Sequence, residues 1–338
     1  MKKVRLGKSG LLVSEVGFGG IPIIPLPHER AVEIVRHCHE RGVTFFDTAN
    51  MYGNSEKMIG AALETVRDTV VLATKTTRRD KAGAAKHIEL SLQNLRTDHI
   101  DLYQFHHVSK SEEIEEILSP NGAMAAVQEA MQAGKIGHVG VTSHKIEAAL
   151  EACRTGLFAT LQFPFNFIET DALKELFGVA RGLDMGIIAM KPLGGGLLQD
   201  AALCFKFLQQ HPDVVPIPGI SRKEEIDQIL SFYENPQPLN ESEQQQIETI
   251  RAELGQKFCH RCGYCQPCEQ GVAITDVLMF RSSVRRLAPA VAVLFSKNAM
   301  ATVEKCTQCG ECVKRCPYDL AIPELLLEVK GIYDAVSR

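Results

Sequence analysis

Apolar and polar positions change period along this chain, and the change repeats. From residue 4 to residue 20 they alternate across a turn at Gly7-Lys8-Ser9-Gly10. A period of two interrupted by a glycine turn predicts a short hairpin, with a first strand near residues 15–19. Beyond it, short runs of β-branched and aromatic residues take turns with stretches that are apolar at i, i+3 and i+4. The runs predict strands at 44–48, 70–75, 100–106, 138–142, 160–165, 186–190 and 214–217. The other stretches predict helices at 29–41, 55–66, 82–95, 146–153, 171–183, 201–210 and 223–233, and a longer helical region broken at Pro120-Asn121-Gly122. In the first helix Ala31, Val32, Ile34 and Val35 form the apolar stripe, and Gly42 is a normal stop. Eight strands alternating with helices predict a (β/α)8 barrel, a TIM barrel. The competing architecture is a doubly wound open sheet, which normally carries a glycine-rich fingerprint after its first strand. Gly17-Phe18-Gly19-Gly20 has its glycines at other spacings, which favours the barrel.

The periodic pattern ends at Asn235-Pro236-Gln237-Pro238, a linker signal. Composition changes there too, because eight of the eleven cysteines follow residue 258. The expected division is a barrel over 1–235, a linker and polar helix over 236–254, and a cysteine-rich domain over 255–338. A net charge of −4 leaves no basic footprint for nucleic acid. No apolar run reaches the roughly 18–20 residues needed for a membrane span. The basic start is not followed by an apolar block, so no signal peptide is expected. Cysteines in such a chain point to metal ligands in a reducing, cytoplasmic setting rather than to disulfides.

Three consecutive strands end in reactive side chains. Asp47 closes the second, with Tyr52 in the loop after it; Lys75 closes the third and His106 the fourth. In a (β/α)8 barrel that end of the strands is where chemistry is built. Each residue alone has a bland reading: a strand-end Asp or Lys as a structural ion pair, a strand His as a core residue. Four coinciding at one rim favour a site. The constellation resembles the aldo-keto reductase family, whose Asp, Tyr, Lys and His tetrad carries carbonyl reduction. The resemblance implies that Tyr52 donates the proton. A phenol with a pKa near ~10 needs tuning for that work. Lys75 would favour the phenolate, Asp47 would hold Lys75, and His106 would orient the substrate oxygen.

The resemblance spans about residues 4–235 and implies a nicotinamide cofactor, NADP or NAD. Gly20 belongs to the cofactor-side set that the resemblance implies. Gly140-Val141-Thr142-Ser143-His144 takes the place of the family stretch after strand five, so Thr142 and Ser143 would reach the nicotinamide amide, as would Gln162. Met190 stands where many members stack a Tyr on the nicotinamide ring. Lys191, Leu193 and Gly195 lie in the matching pyrophosphate loop, and Gly219, Ser221 and Arg222 in the adenosine-phosphate loop. Glu225 occupies the position of a phosphate-binding Arg, so its carboxylate would repel a 2′-phosphate.

The second cysteine motif is Cys306-x2-Cys309-x2-Cys312-x3-Cys316-Pro317, the bacterial ferredoxin spacing, in which the fourth thiolate ligates the other of two [4Fe–4S] clusters. The first is Cys259-x2-Cys262-x2-Cys265-x2-Cys268, one residue shorter and without the proline. The pairing that follows is Cys259, Cys262, Cys265 and Cys316 on one cluster, and Cys268, Cys306, Cys309 and Cys312 on the other. Zinc is the alternative, though zinc sites tend to use separated cysteine pairs. Cys38, Cys153 and Cys204 lie in helical patterns and read as small core residues. The fold expected overall is a TIM barrel followed by a small α-helical ferredoxin-like iron–sulfur domain, in the ferredoxin-containing branch of the family. The expected partner is a small carbonyl or alcohol substrate. Hydride moves two electrons and cubanes move one, so a second reading passes electrons through the clusters to a redox protein partner, with a flavin as converter. A third reading is a non-catalytic barrel whose clusters sense redox state; an intact tetrad argues against it.

Overall fold

The computed structural model describes residues 1–255, 257–259, 263–316 and 318–337. Cys262, one of the expected cluster ligands, and Pro317 lie outside the described residues. The chain divides into two compact units: Met1–Pro192 with Cys204–Pro238, and Leu193–Leu203 with Leu239–Arg338.

The first unit opens with an antiparallel hairpin, β1 (Lys3–Arg5) and β2 (Leu12–Ser14). Eight parallel strands follow: β3 (Phe18–Gly19), β4 (Phe45–Asp47), β5 (Val71–Thr76), β6 (Ile100–Phe105), β7 (Ile136–Thr142), β8 (Thr160–Pro164), β9 (Gly186–Met190) and β10 (Val214–Ile217). They hydrogen-bond in chain order from β3 to β10. The ring closes where Gly17 N donates to Pro216 O and Gly19 N to Pro218 O, at 2.9 and 2.8 Å. Parallel neighbours cannot be joined by a tight turn and need a long crossover, usually a helix, here α1 (His28–Glu40), α2 (Ser55–Leu63), α3 (Lys81–Leu95), α4 (Ser111–Leu118), α5 (Ala123–Gln132), α6 (Ile146–Arg154), α7 (Leu176–Gly182) and α8 (Ala201–Leu208), with α9 (Lys223–Glu234) last. The hairpin plugs the end at which the strands begin. Its Leu6 and Val13 are fully buried and pack with Phe45, Ala73, Leu102, Ile188 and Val215. Gly7 bridges Met185 just before β9. The opposite rim is left for chemistry.

Three expected elements differ. The first barrel strand is two residues long, because Ser14 Oγ already ties Val16 O and pairing with β10 begins only at Gly17. The helix expected over 55–66 ends at Leu63 and runs on as a 3₁₀ turn, Glu64–Thr69, in which β-branched Val66 leaves helical dihedrals. The helix expected over 171–183 splits into a 3₁₀ turn, Asp171–Leu173, and α7, because Glu175 sits at φ −144°. Cys38, Cys153 and Cys204 are fully buried. Burial pushes the Cys38 thiol far up and that of Cys153 up to about 11.

The second unit is helical: α10 (Glu241–Gly255), α11 (Ile274–Arg286), α12 (Pro289–Met300), the short α13 (Glu311–Lys314) and α14 (Ile322–Val336). Val277, Phe280, Ala292, Leu326 and Val329 belong to its core, and so do two cysteines, Cys265 and Cys312. Cys259, Cys268, Cys306 and Cys316 are partly buried against the same cluster. The cysteines expected to be ligands and the apolar core are therefore interleaved in this unit. Among the described residues no helix is long and apolar enough to cross a membrane.

Candidate active site

Adjacent parallel strands set the rim. Asp47 is the last residue of β4, Lys75 the penultimate residue of β5, and His106 follows β6 directly. Asp47 and Lys75 are 2% and 1% exposed. Lys75 Nζ donates to Asp47 Oδ1 and to Thr48 O, both at 2.5 Å. The second carboxylate oxygen of Asp47 accepts Gln104 Nε2 at 2.9 Å, and Gln162 also donates to this carboxylate. Burial pushes Asp47 up and Lys75 down, while their mutual attraction opposes both shifts. A buried charge persists only when paired and hydrogen-bonded, and this pair is both.

Tyr52 comes from the β4–α2 loop. Its hydroxyl lies 3.5 Å from His106 Nε2, and the two rings meet edge to face at 5.5 Å. Lys75 Nζ lies 5.3 Å from the centroid of the Tyr52 ring. Burial, and then the charges of Lys75, His107 and Arg79, hold the His106 imidazole well below the usual histidine range. It is neutral at pH 7, with a buried Nδ1 that has no hydrogen-bond partner. The four expected side chains thus converge on one rim, around a neutral imidazole and a phenol.

The residues expected to bind the cofactor divide into three groups in the first unit and a pair in the second. Gln162, 3% exposed near the end of β8, keeps its Oε1 buried without a hydrogen bond. A carboxamide N–H is a fitting donor for that orphan acceptor, so the site suits a nicotinamide. Gly20 lies against Asp47 O and Ser55 Oγ, where a Cβ would stand 3.0 and 2.6 Å away. Met190 ends β9, and Lys191 follows with φ 58° while its carbonyl accepts Asn166 Nδ2 at 3.0 Å. Thr142 and Ser143 are engaged locally. Thr142 Oγ1 accepts His107 N at 2.8 Å, and Ser143 Oγ donates to Lys145 O at 3.1 Å and accepts Lys145 N at 3.0 Å. The third group lies near the start of α9. Gly219 forms a bridge with Gly19, and Glu225 accepts Ser221 N at 2.7 Å and Arg222 N and Nε, both at 3.1 Å. The donors expected for a phosphate are capped by the chain's own carboxylate. Leu193 and Gly195 belong to the other unit, where Gly195 O accepts Ser282 Oγ at 2.5 Å.

Two contributors escaped the sequence reading. Gln104 shares the inward face with His106 at a spacing of two, so strand periodicity holds the signal for it. Arg79, whose guanidinium reaches the His106 carbonyl, carries no local signal.

The described cysteines of the second unit line two cavities. Cys268, Cys306, Cys309 and Cys312 line one, with Pro323 and Leu326. Cys259, Cys265 and Cys316 line the other, with Leu278 and Ile322. Thiols around an apolar cavity are a fitting donor set for iron–sulfur clusters. Cys309 is exposed and Cys312 is buried, with its thiol pushed up by burial.

A model described as the aldo/keto reductase family matches residues 15–203, more than half of the chain. The chain belongs to the aldo/keto reductase family. A second model, the 4Fe-4S dicluster domain, matches residues 258–321. Among curated relatives, the oxidoreductase YrpG of Bacillus subtilis is 32% identical over 60% of this chain and 70% of its own length. A probable aldo-keto reductase of Glycine max is 26% identical over 58% of this chain and 60% of its own. The fold matches a holo aldo-keto reductase from Bacillus halodurans with a TM-score of 0.64 at 24% identity, over 74% of this chain and 96% of that one. A Klebsiella pneumoniae aldo-keto reductase solved in complex with NADPH also matches at 0.64 and 24%, over 74% of this chain and 95% of that one. This aldo/keto reductase therefore joins a (β/α)8 barrel to a C-terminal 4Fe-4S dicluster domain.

Proposed function

We propose that the barrel reduces a small aldehyde or ketone with NADP(H) or NAD(H), or runs the reverse alcohol oxidation, and that the C-terminal domain, from about residue 255 beyond a linker and helix at 236–254, holds two [4Fe–4S] clusters. The observation that carries the first part is the convergence of Tyr52 and His106, 3.5 Å apart, beside the buried Asp47–Lys75 pair. The nicotinamide, when bound, supplies or accepts the hydride. Gln162 is the residue best suited to hold its carboxamide. Tyr52 gives its phenolic proton to the substrate oxygen in reduction and takes it back in oxidation. Lys75 places a positive charge beside that phenol, and Asp47, itself held by Gln104, fixes Lys75. His106 stays neutral and uses its ring to orient the substrate oxygen. Replacing Tyr52 by Phe should lower kcat/KM for carbonyl reduction by about 10²–10⁴ and leave nucleotide affinity intact. Near-normal turnover would remove the assignment.

The two cavities support Cys259, Cys265 and Cys316 on one cluster, to which the motif spacing adds Cys262, and Cys268, Cys306, Cys309 and Cys312 on the other. The clusters supply one-electron chemistry. Iron and sulfide analysis of anaerobically purified protein should give about eight of each per chain; zinc without iron would overturn this part. The exposure of Cys309 favours a second reading, in which one cluster meets a redox partner at the surface. That reading needs a two-to-one electron converter such as flavin. Bound flavin in the anaerobic spectrum, with cluster bleaching on addition of substrate, would select it.

A further inference from the structure

We infer that Arg79 and Glu113 are positioning residues for His106: together they clamp the turn that aims its imidazole at the site. The inference rests on the role proposed above for His106. The turn needs a clamp because β6 ends at Phe105 and the chain reverses at once, with His107 in the left-handed region at φ 58°. A residue with a Cβ is uncommon in that region, and contacts around the turn must hold it there.

Arg79 supplies such contacts. Its Nη2 donates to His106 O at 2.8 Å and lies 3.4 Å from His107 O. Its Nε and Nη2 reach Glu113 Oε1 at 3.1 and 2.8 Å. Glu113 then accepts Ser109 N at 2.7 Å through its other oxygen. One guanidinium and one carboxylate thereby tie both carbonyls and the following amide of the segment 106–109. The Arg79 side chain is only 11% exposed and makes these bonds through Nε and Nη2 alone, its Nη1 being buried without a hydrogen bond.

The base of the clamp is itself anchored. Ala123 N donates to Arg79 O at 2.6 Å and Lys81 N to Asn121 O at 2.9 Å, while Asp80 bridges Gly122. From the far side Thr142 accepts His107 N on its hydroxyl at 2.8 Å and Val108 N on its carbonyl at 2.9 Å. His106 N is held by Thr76 O at 2.8 Å. Backbone contacts fix where residue 106 starts, and Arg79 fixes the peptide plane after it. Those two planes together set the direction of Cβ. A planar fork can serve two carbonyls and a carboxylate at once, which a lysine ammonium on a flexible stem cannot hold in the same geometry.

The test uses full-length protein with ¹⁵N-labelled histidine. The His106 ring resonances, assigned by His106→Gln, report tautomer and surroundings without cofactor or turnover. Arg79→Met should shift both ring signals and lower kcat at least tenfold, with nucleotide Kd changed less than twofold. Arg79→Lys should recover only part of kcat, and Glu113→Gln should fall between. Unmoved ring signals in Arg79→Met would overturn the inference; should that variant not fold, unmoved signals in Glu113→Gln would do the same. Full activity in His106→Gln would instead remove the role given to His106. The clamp would then still be judged by the ring signals alone.

Discussion

Replacing Lys75 by Met keeps side-chain volume and removes the cation bonded to the Asp47 carboxylate. What remains is a carboxylate 2% exposed, held by two amide donors. Breaking a buried ion pair by removing one partner costs about 3–5 kcal/mol, since the other charge stays desolvated. Whole-domain stabilities are of order 5–15 kcal/mol, so the loss is readable in a urea titration of the barrel transition. The pH dependence separates this cause from a packing defect. Burial already pushes Asp47 above its ordinary value, and without Lys75 the attraction that opposes the rise is gone. A carboxyl whose folded pKa exceeds its unfolded value near ~3.9 binds more protons when folded. Its stabilisation is complete below the unfolded pKa and is lost as pH rises through the folded one. The deficit of Lys75→Met relative to the parent should therefore be smallest near pH 4–5 and grow toward pH 8. Asp47→Asn combined with Lys75→Met removes both charges and should be more stable at pH 8 than Lys75→Met alone. A deficit below about 1 kcal/mol that does not change with pH would refute the reasoning.

Nucleotide preference should follow Glu225. Arg222 is tied to Glu225 and Lys223 to Glu33 at 2.5 Å, so neither basic residue stands uncommitted for a 2′-phosphate. Direct titration should show no strong preference for NADP over NAD, and Glu225→Gln should move the ratio of affinities toward NADP by about tenfold; NADP already a hundredfold tighter in the parent would contradict this. In the second unit, Cys306→Ala with Cys309→Ala should loosen the domain whose core contains the cysteines, because cluster binding and folding are coupled there. The barrel has its own core and should keep its transition; loss of both transitions together would contradict that independence. Carbonyl reduction persisting in this variant would mark the clusters as structural, whereas loss of dye or partner reduction alone would mark them as electron carriers.

Period and spacing are local properties, and they carried the barrel. Alternating strands and helices, a hairpin with a glycine turn, and strand ends at Asp47, Lys75 and His106 are all written within a few residues of each position. The dicluster domain was legible for the same reason, because ligand spacing is a property of a short segment. Element ends were less legible where one residue's dihedrals decided them, as at Val66 and Glu175. Direction and distance across elements were decided only by tertiary structure. The 2.5 Å pair of Lys75 and Asp47, the support from Gln104, the turning of Ser143 away to Lys145, and the capping of α9 by Glu225 each depend on where a neighbouring segment places its atoms. Arg79 is the extreme case. It bonds the carbonyl of His106, 27 positions later, and a backbone carbonyl has no residue identity by which a sequence could advertise it.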